Sequence, residues 1–200
     1  MAHSIEIRPE KLTLVSYSAE DVAAVIAEEA ARVGLPESVV VHVEVDEVLP
    51  SPLTGSTADV VDGEARLWLS GGELEDPRYR LELADAQARQ VVATSLLRIV
   101  DRLGPCAEAP SDTEIGSGRR RAAWDVWAEG RASKLGVRVH RTRRRYHFRI
   151  AHGFNDVADS VFDRLWVADE LTWADLLAAC AQTKAVDSRP PPKAPAGLRR

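Results

Sequence analysis

Two hundred residues, 45% hydrophobic and 28% charged with a net charge of −5, describe a chain able to close a core of its own; at this length roughly 70% of the unfolded surface can be buried without staples. No apolar run approaches the roughly 20 residues of a bilayer span, the N-terminus MAHSIEIRPEK has no apolar leader core, and Cys106 and Cys180 stand in no ligand spacing. No membrane span, secretory leader or disulfide framework is therefore expected, and the reading is a cytoplasmic protein with reduced thiols.

The elements follow in chain order. Ile5 and Ile7, then Leu12, Leu14 and Ser16, alternate with their neighbours and predict two short strands. Ser18 opens S-A-E-D, a capping box with Asp21, and the apolar positions 22, 25, 26, 30 and 33 predict a helix over 19–33, ended by Gly34 and Pro36. The β-branched run 39–46 predicts a strand with Val39, Val41, Val43 and Val45 on one face and His42, Glu44 and Asp46 on the other. Residues 47–63 read as a loop and 64–70 as a strand ended by Gly71-Gly72, with Asp76-Pro77 capping a helical turn. A long helix spans about 84–103. A linker-like stretch covers 105–118, a second helix 119–135, and a basic, partly alternating segment 137–150. Helix 154–167 carries an apolar stripe, and Thr172 begins a capping box with Asp175 for a helix to about 182. The order is α+β: a small mixed or antiparallel sheet packed by helices, then a mainly helical C-terminal half. One domain is expected over 1–183, followed by a disordered Pro-rich tail over 184–200.

Within that domain the charge is segregated. Residues 1–118 carry 9 basic and 22 acidic side chains, residues 119–149 carry 11 and 2, and residues 150–200 carry 6 and 7. Arginine outnumbers lysine 22 to 4, which resembles the coding bias of a GC-rich bacterial genome. The basic peak is RVHRTRRRYHFR, residues 138–149. If extended, it sets Arg141, Arg143, Arg145, His147 and Arg149 on one face, with Tyr146, Phe148 and Ile150 on the other. Guanidinium forks bind phosphates or carboxylates and aromatic rings stack on bases. Arg138, Arg141, Arg143, Arg144, Arg145 and Arg149 are accordingly the candidate binding residues, unless the acidic half of the chain pairs with them internally.

Two metal patterns fail on inspection. His42-Val-Glu44 with Pro105-Cys106 begins a zinc deaminase signature, but Ala109 stands where its second cysteine belongs, and two ligands do not make a zinc site. The acidic clusters 44–47 and 73–76 lack the oxygen spacing of a calcium loop. No glycine-rich phosphate loop and no G-x-S-x-G elbow is present.

The long helix holds the most informative stretch, QVVATSLLRIVDRLG at 90–104. Val92, Leu96, Ile99 and Leu103 form an apolar stripe that Val91, Leu97 and Val100 widen, yet Thr94, Ser95 and Arg98 sit at its centre. The spacing of T-S-L-L-R is that of H-E-x-x-H. With the preceding strands and the later helix AAWDVWAEGRASKLG at 122–136, residues 12–167 resemble the zincin-like metallopeptidase fold. In that family the central helix carries H-E-x-x-H and a later helix supplies the third ligand. The resemblance implies a degenerate cleft at Thr94, Ser95, Arg98, Asp125 and Glu129. Arg98 has no free lone pair for zinc, so the resemblance also implies the loss of metal-dependent hydrolysis and a salt bridge from Arg98 to Asp125 or Glu129 in place of metal. The plainer reading puts Thr94, Ser95 and Arg98 at the solvent edge of a core helix. The resulting expectation is a cytoplasmic, metal-free and cofactor-free binding or regulatory protein. It would meet an acidic partner, most simply a protein, through the basic segment. Nucleic-acid binding by 138–149 and a hydrolase with an unrecognised site are the alternatives.

Overall fold

A computed structural model of the protein describes residues 3–48, 55–76, 81–116 and 118–187, and among them the chain is α+β. The first half builds a sheet covered by helices. Strand β1 (Ile5–Arg8) leads to helix α1 (Ala19–Val33), strand β2 (Val41–Asp46), strand β3 (Thr57–Val61) and strand β4 (Glu64–Ser70). The sheet is mixed, in the order β1-β2-β4-β3: β1 and β4 run parallel to β2, and β3 is the antiparallel edge. Val41, Val43 and Val45 of β2 and Ala65, Leu67 and Leu69 of β4 point into the core, as their alternation requires. On the opposite, polar face His42 sits between Glu6 and Glu64, at 3.1 and 2.9 Å.

Two helices close the core side. The Ser18 hydroxyl accepts from the Asp21 amide at 3.2 Å, and the Asp21 carboxylate accepts from the Ser18 amide at 2.8 Å, so α1 starts where its capping box predicts. It stops at Gly34, in the left-handed conformation that suits glycine. After the single turn α2 (Gly71–Leu74), helix α3 (Asp85–Leu103) lays Val92, Leu96 and Ile99 on the sheet. Its other flank, Ala93 and Leu97, meets Ala128 and Ala132 of the next long helix, small side chains that allow close approach.

The second half is helical: α4 (Asp112–Ile115), α5 (Arg119–Lys134), α6 (Arg141–His152), α7 (Asp156–Val167) and α8 (Trp173–Asp187). Trp124 and Trp127 of α5, Phe148 of α6, Phe162 and Leu165 of α7 and Leu176 of α8 are all fully buried in a second core. Thr172 and Asp175 form the box that starts α8. No described helix is long and apolar enough to cross a membrane.

Five expectations need correction. Residues 12–16 form no strand, because the Thr13 and Leu14 amides bond the Glu47 carboxylate, at 2.7 and 2.6 Å, instead of a neighbouring strand. The expected loop 47–63 contains β3, whose hairpin to β4 turns on Asp62-Gly63 with positive φ at both residues; residues 49–54 lie outside the described residues. The linker-like stretch 105–118 holds α4, capped by Ser111 and Glu114. The basic segment is not extended: 141–152 is helix, with its non-β-branched arginines at ordinary helix propensity. Helix α8 runs on to Asp187, into the expected tail. Residues 188–200, and Pro77 of the expected helical turn, lie outside the described residues.

Helices α5 and α7 approach each other closely at Gly130. A Cβ there would stand 2.2 Å from the Trp166 carbonyl oxygen, a backbone atom that no rotamer change moves. Gly130→Ala should therefore destabilise the protein by about 2–3 kcal/mol despite its better helix propensity. Thermal unfolding followed by circular dichroism checks this, and an unchanged or raised Tm would refute the close-approach argument.

Candidate functional site

The residues singled out on α3 and α5 meet at a buried charge network. Its hub is Asp112, at the first turn of α4, whose side chain is wholly buried. Oδ2 accepts from the Ala58 amide at 2.8 Å, from Arg121 Nη1 at 2.8 Å and from Arg98 Nη2 at 3.4 Å. Oδ1 accepts from Arg102 Nη2 at 2.8 Å. Arg102 Nε donates to the Ala58 carbonyl at 3.1 Å, and Arg121 Nη2 donates to the Ser56 carbonyl at 2.7 Å. Both backbone groups that Ala58 turns away from β4 are thus satisfied by charged side chains, which closes the outer edge of the sheet at that point.

One carboxylate cannot balance three guanidiniums; Asp59 pairs with Arg102 at 3.3 Å, and Asp125 serves the other two. Arg98 Nη1 donates to Asp125 Oδ1 at 2.9 Å, Arg121 Nε to the same oxygen at 3.1 Å, and Arg144 Nη1 to Oδ2 at 3.3 Å. Arg144 also pairs with Glu129, to which Gln90 Nε2 donates at 3.3 Å. The electrostatics follow. Burial pushes the Asp125 carboxyl up, but Arg121, Arg144 and Arg98 outweigh it and hold it at about 2. Asp112 is likewise depressed, against burial, by Arg98 and Arg121. Burial and then the neighbouring Arg121 make Arg98 a weaker base than an exposed arginine.

Above this network lies a cleft of about 620 Å³ between α3, α5 and the start of α6. Thr94, Ser95, Arg98, Asp125 and Glu129 all line it, so the five residues placed together by the zincin resemblance do share one cavity. They are not at a solvent edge: Thr94, Ser95 and Arg98 are 7%, 2% and 2% exposed, which overturns the plainer reading of the helix. The Thr94 hydroxyl donates back to the Gln90 carbonyl at 2.7 Å, and Arg98 forms the expected bridge to Asp125. One wall of the cleft carries Glu73 and Asp76; the other carries Arg138, His140, Arg143, Arg144 and His147.

The basic segment divides on this fold. As a helix, α6 sets Arg141, Arg145 and Arg149 four residues apart, facing α7. Arg141 and Arg145 bond Asp163, and Arg149 forms a bidentate pair with Asp159 at 2.7 and 2.5 Å. Arg144 is committed to Asp125 and Glu129. Arg138 and Arg143 are exposed, line the cleft mouth and have no carboxylate partner among the described residues. His147 is held below its ordinary range, by burial first and then by Arg144 and Arg143. Sequence reasoning missed Asp112, Arg102 and Arg121; the S-D-T-E box at 111–114 was the available signal for a helix start at Asp112.

No family model, curated protein or solved structure matches the chain.

Two predictions follow from the network. Asp112→Asn leaves Arg98, Arg102 and Arg121 short of a buried counter-charge and should cost about 3–5 kcal/mol in urea unfolding at pH 7, on the scale of a broken buried pair; an unchanged midpoint would contradict the hub role. Asp125 is depressed in the folded state, so its stabilisation is present above about pH 4 and lost as pH falls towards 2. Stability should fall by about 2 kcal/mol over that window through this group alone, and the fall should be shallower in Asp125→Asn.

Proposed function

We propose that the protein is a metal-free binding protein on a zincin-like scaffold, which receives an acidic group of a protein partner at the mouth of the cleft between α3, α5 and α6. The observation that carries the reading is the fate of the arginines. Four of the six in the basic segment are bound internally, and the two that are not, Arg138 and Arg143, both stand at the cleft mouth. A guanidinium fork without a carboxylate partner is a ready bidentate site for one.

The scaffold reading is supported by positions 94, 95, 98, 125 and 129 lining a single cavity. Where the family places imidazoles, this chain has a hydroxyl turned to its own helix backbone and a guanidinium held by Asp125. Neither is a zinc ligand, which favours binding over metal-dependent hydrolysis. An acidic protein segment fits the mouth better than nucleic acid. One or two carboxylates can meet Arg138 and Arg143, whereas a continuous phosphate backbone would bring further negative charge against Glu73 and Asp76 and a chain of net charge −5.

The test is fluorescence anisotropy with a labelled oligo-glutamate peptide. Binding is expected at low salt, and the double variant Arg138→Ala/Arg143→Ala should weaken it at least tenfold, since two charge-assisted contacts together amount to about 1.4 kcal/mol or more. Tight binding of a single-stranded oligonucleotide at roughly 50 mM salt with a steep salt slope, or stoichiometric zinc in the purified protein, would overturn the reading.

A further inference from the structure

Helix α6 has four faces, and three are occupied. Arg141, Arg145 and Arg149 bond the acids of α7. Phe148 and His152 are fully buried and stacked on each other, with ring centroids 4.0 Å apart. Arg144 reaches α5. The fourth face looks outward and is not polar like an ordinary solvent face. It carries Tyr146 and Ile150, one helical turn apart, and Phe154 follows just beyond the helix end. These side chains are 57%, 63% and 65% exposed. Tyr146 and Phe154 touch edge to face at 5.9 Å, so the three make one ridge rather than scattered residues. Exposed apolar side chains grouped on one helix face in this way are a candidate interaction surface.

The ridge continues into the cleft mouth. Tyr146 packs against the ring of His147 at 6.2 Å, and His147 lines the cleft beside Arg143 and Arg138. Cationic at one end and apolar at the other, the surface calls for a ligand with the complementary sequence of groups. We infer that α6 and the cleft mouth form one docking surface for a peptide segment that sets carboxylates against Arg138 and Arg143 and lays large apolar side chains along Tyr146, Ile150 and Phe154. This rests on the acidic-partner reading above and sharpens it, because a small anion would engage the mouth and leave the ridge bare. A second copy of the chain is the poorer occupant. Ridge against ridge would bury the exposed face of α6, which carries no acid to meet the Arg143 of the other copy. A nucleic acid could stack on the ridge rings, but meets the opposing charge already described.

Two labelled peptides of equal length and equal negative charge separate the possibilities by fluorescence anisotropy: oligo-glutamate spaced by glycine, and the same glutamates spaced by leucine and phenylalanine. The apolar-spaced peptide should bind at least tenfold more tightly. Tyr146→Ser/Ile150→Ser/Phe154→Ser should abolish that difference while leaving oligo-glutamate binding and Tm unchanged. Ile150→Glu, a single change on an exposed helix face, should reduce the difference on its own. Equal affinity of the two peptides would overturn the ridge and leave the cationic mouth standing; binding of neither would overturn both. Concentration-dependent dimerisation in sedimentation that Ile150→Glu abolishes would assign the ridge to self-association, and oligonucleotide binding lost in the serine variant would assign it to nucleic acid; each would overturn the inference.

Discussion

The carboxylate of Asp112 is the interaction on which the rest of the structure depends. It is buried, it belongs to a helix of one turn, and it touches the edge strand and both long central helices. Burying a carboxylate is tolerable only with charged partners and full hydrogen bonding. Asp112 obtains both by recruiting Arg98, Arg102 and Arg121, and that solution creates the next requirement. Three guanidiniums packed around one acid are over-positive, so further acids enter: Asp59 pairs with Arg102, and Asp125 of α5 with Arg98 and Arg121. Asp125 and Glu129 then attract Arg144, which fixes the start of α6 against α5. The sheet edge, the joint between the halves and the placement of the cleft are consequences of neutralising one buried charge after another.

That sequence of requirements explains what could be read beforehand. Elements whose cause is local were legible. The Ser18 and Thr172 boxes, the β-branched run of β2 and the 3.6-residue stripe of α7 each act within a few residues, and each gives the expected element. The Asp62-Gly63 turn was equally local and went unread; it announces a hairpin, but a run of proline and glycine before it masked the signal. The 138–149 segment failed for a different reason. Its alternation is real in the sequence, yet Asp159 and Asp163 reward a helical spacing of arginines, and nothing near the segment reveals where those acids will stand. Asp112 could not be ranked among so many acids, because its importance comes from Ala58, 54 residues earlier. Of the cleft, Thr94, Ser95, Arg98, Asp125 and Glu129 are grouped by the zincin resemblance alone, while the third wall is formed by a segment whose alternation points to a strand and whose fold is a helix.

Composition was similarly a poor guide to available charge. The segment 119–149 has a balance of +9, a value that suggests a polyanion site. Folding consumes most of it. Arg121 and Arg144 serve the buried network, Arg131 is spent on Asp101 at 2.7 and 2.6 Å while stacking on Trp127, and three arginines hold α6 to α7. Arginine suits these tasks because its planar fork satisfies several acceptors at once and stays charged when buried. What reaches solvent at the cleft is a small number of cations against an acidic opposite wall. Such a surface discriminates by position rather than by bulk attraction, and it is matched to a few well-placed carboxylates.

On the proposed zincin-like reading, Arg98 has a structural meaning beyond the loss of a ligand. A metal between a central helix and a later helix ties the two together through a shared cation. Arg98 projects a fixed positive charge from α3 into the same interval and is gripped there by Asp125 of α5 and Asp112 of α4. A guanidinium needs no free cation in solution and makes directional bonds to two carboxylates, so it can carry the cross-linking task permanently. It offers no coordination position at which water could bind and be acidified as it is on a metal. The exchange of metal for arginine would therefore conserve the architecture and remove the chemistry. It would also free the cleft floor from any need for access by water or substrate. That is consistent with a site whose floor is closed by buried ion pairs and whose exposed arginines without a carboxylate partner, Arg138 and Arg143, stand at the mouth.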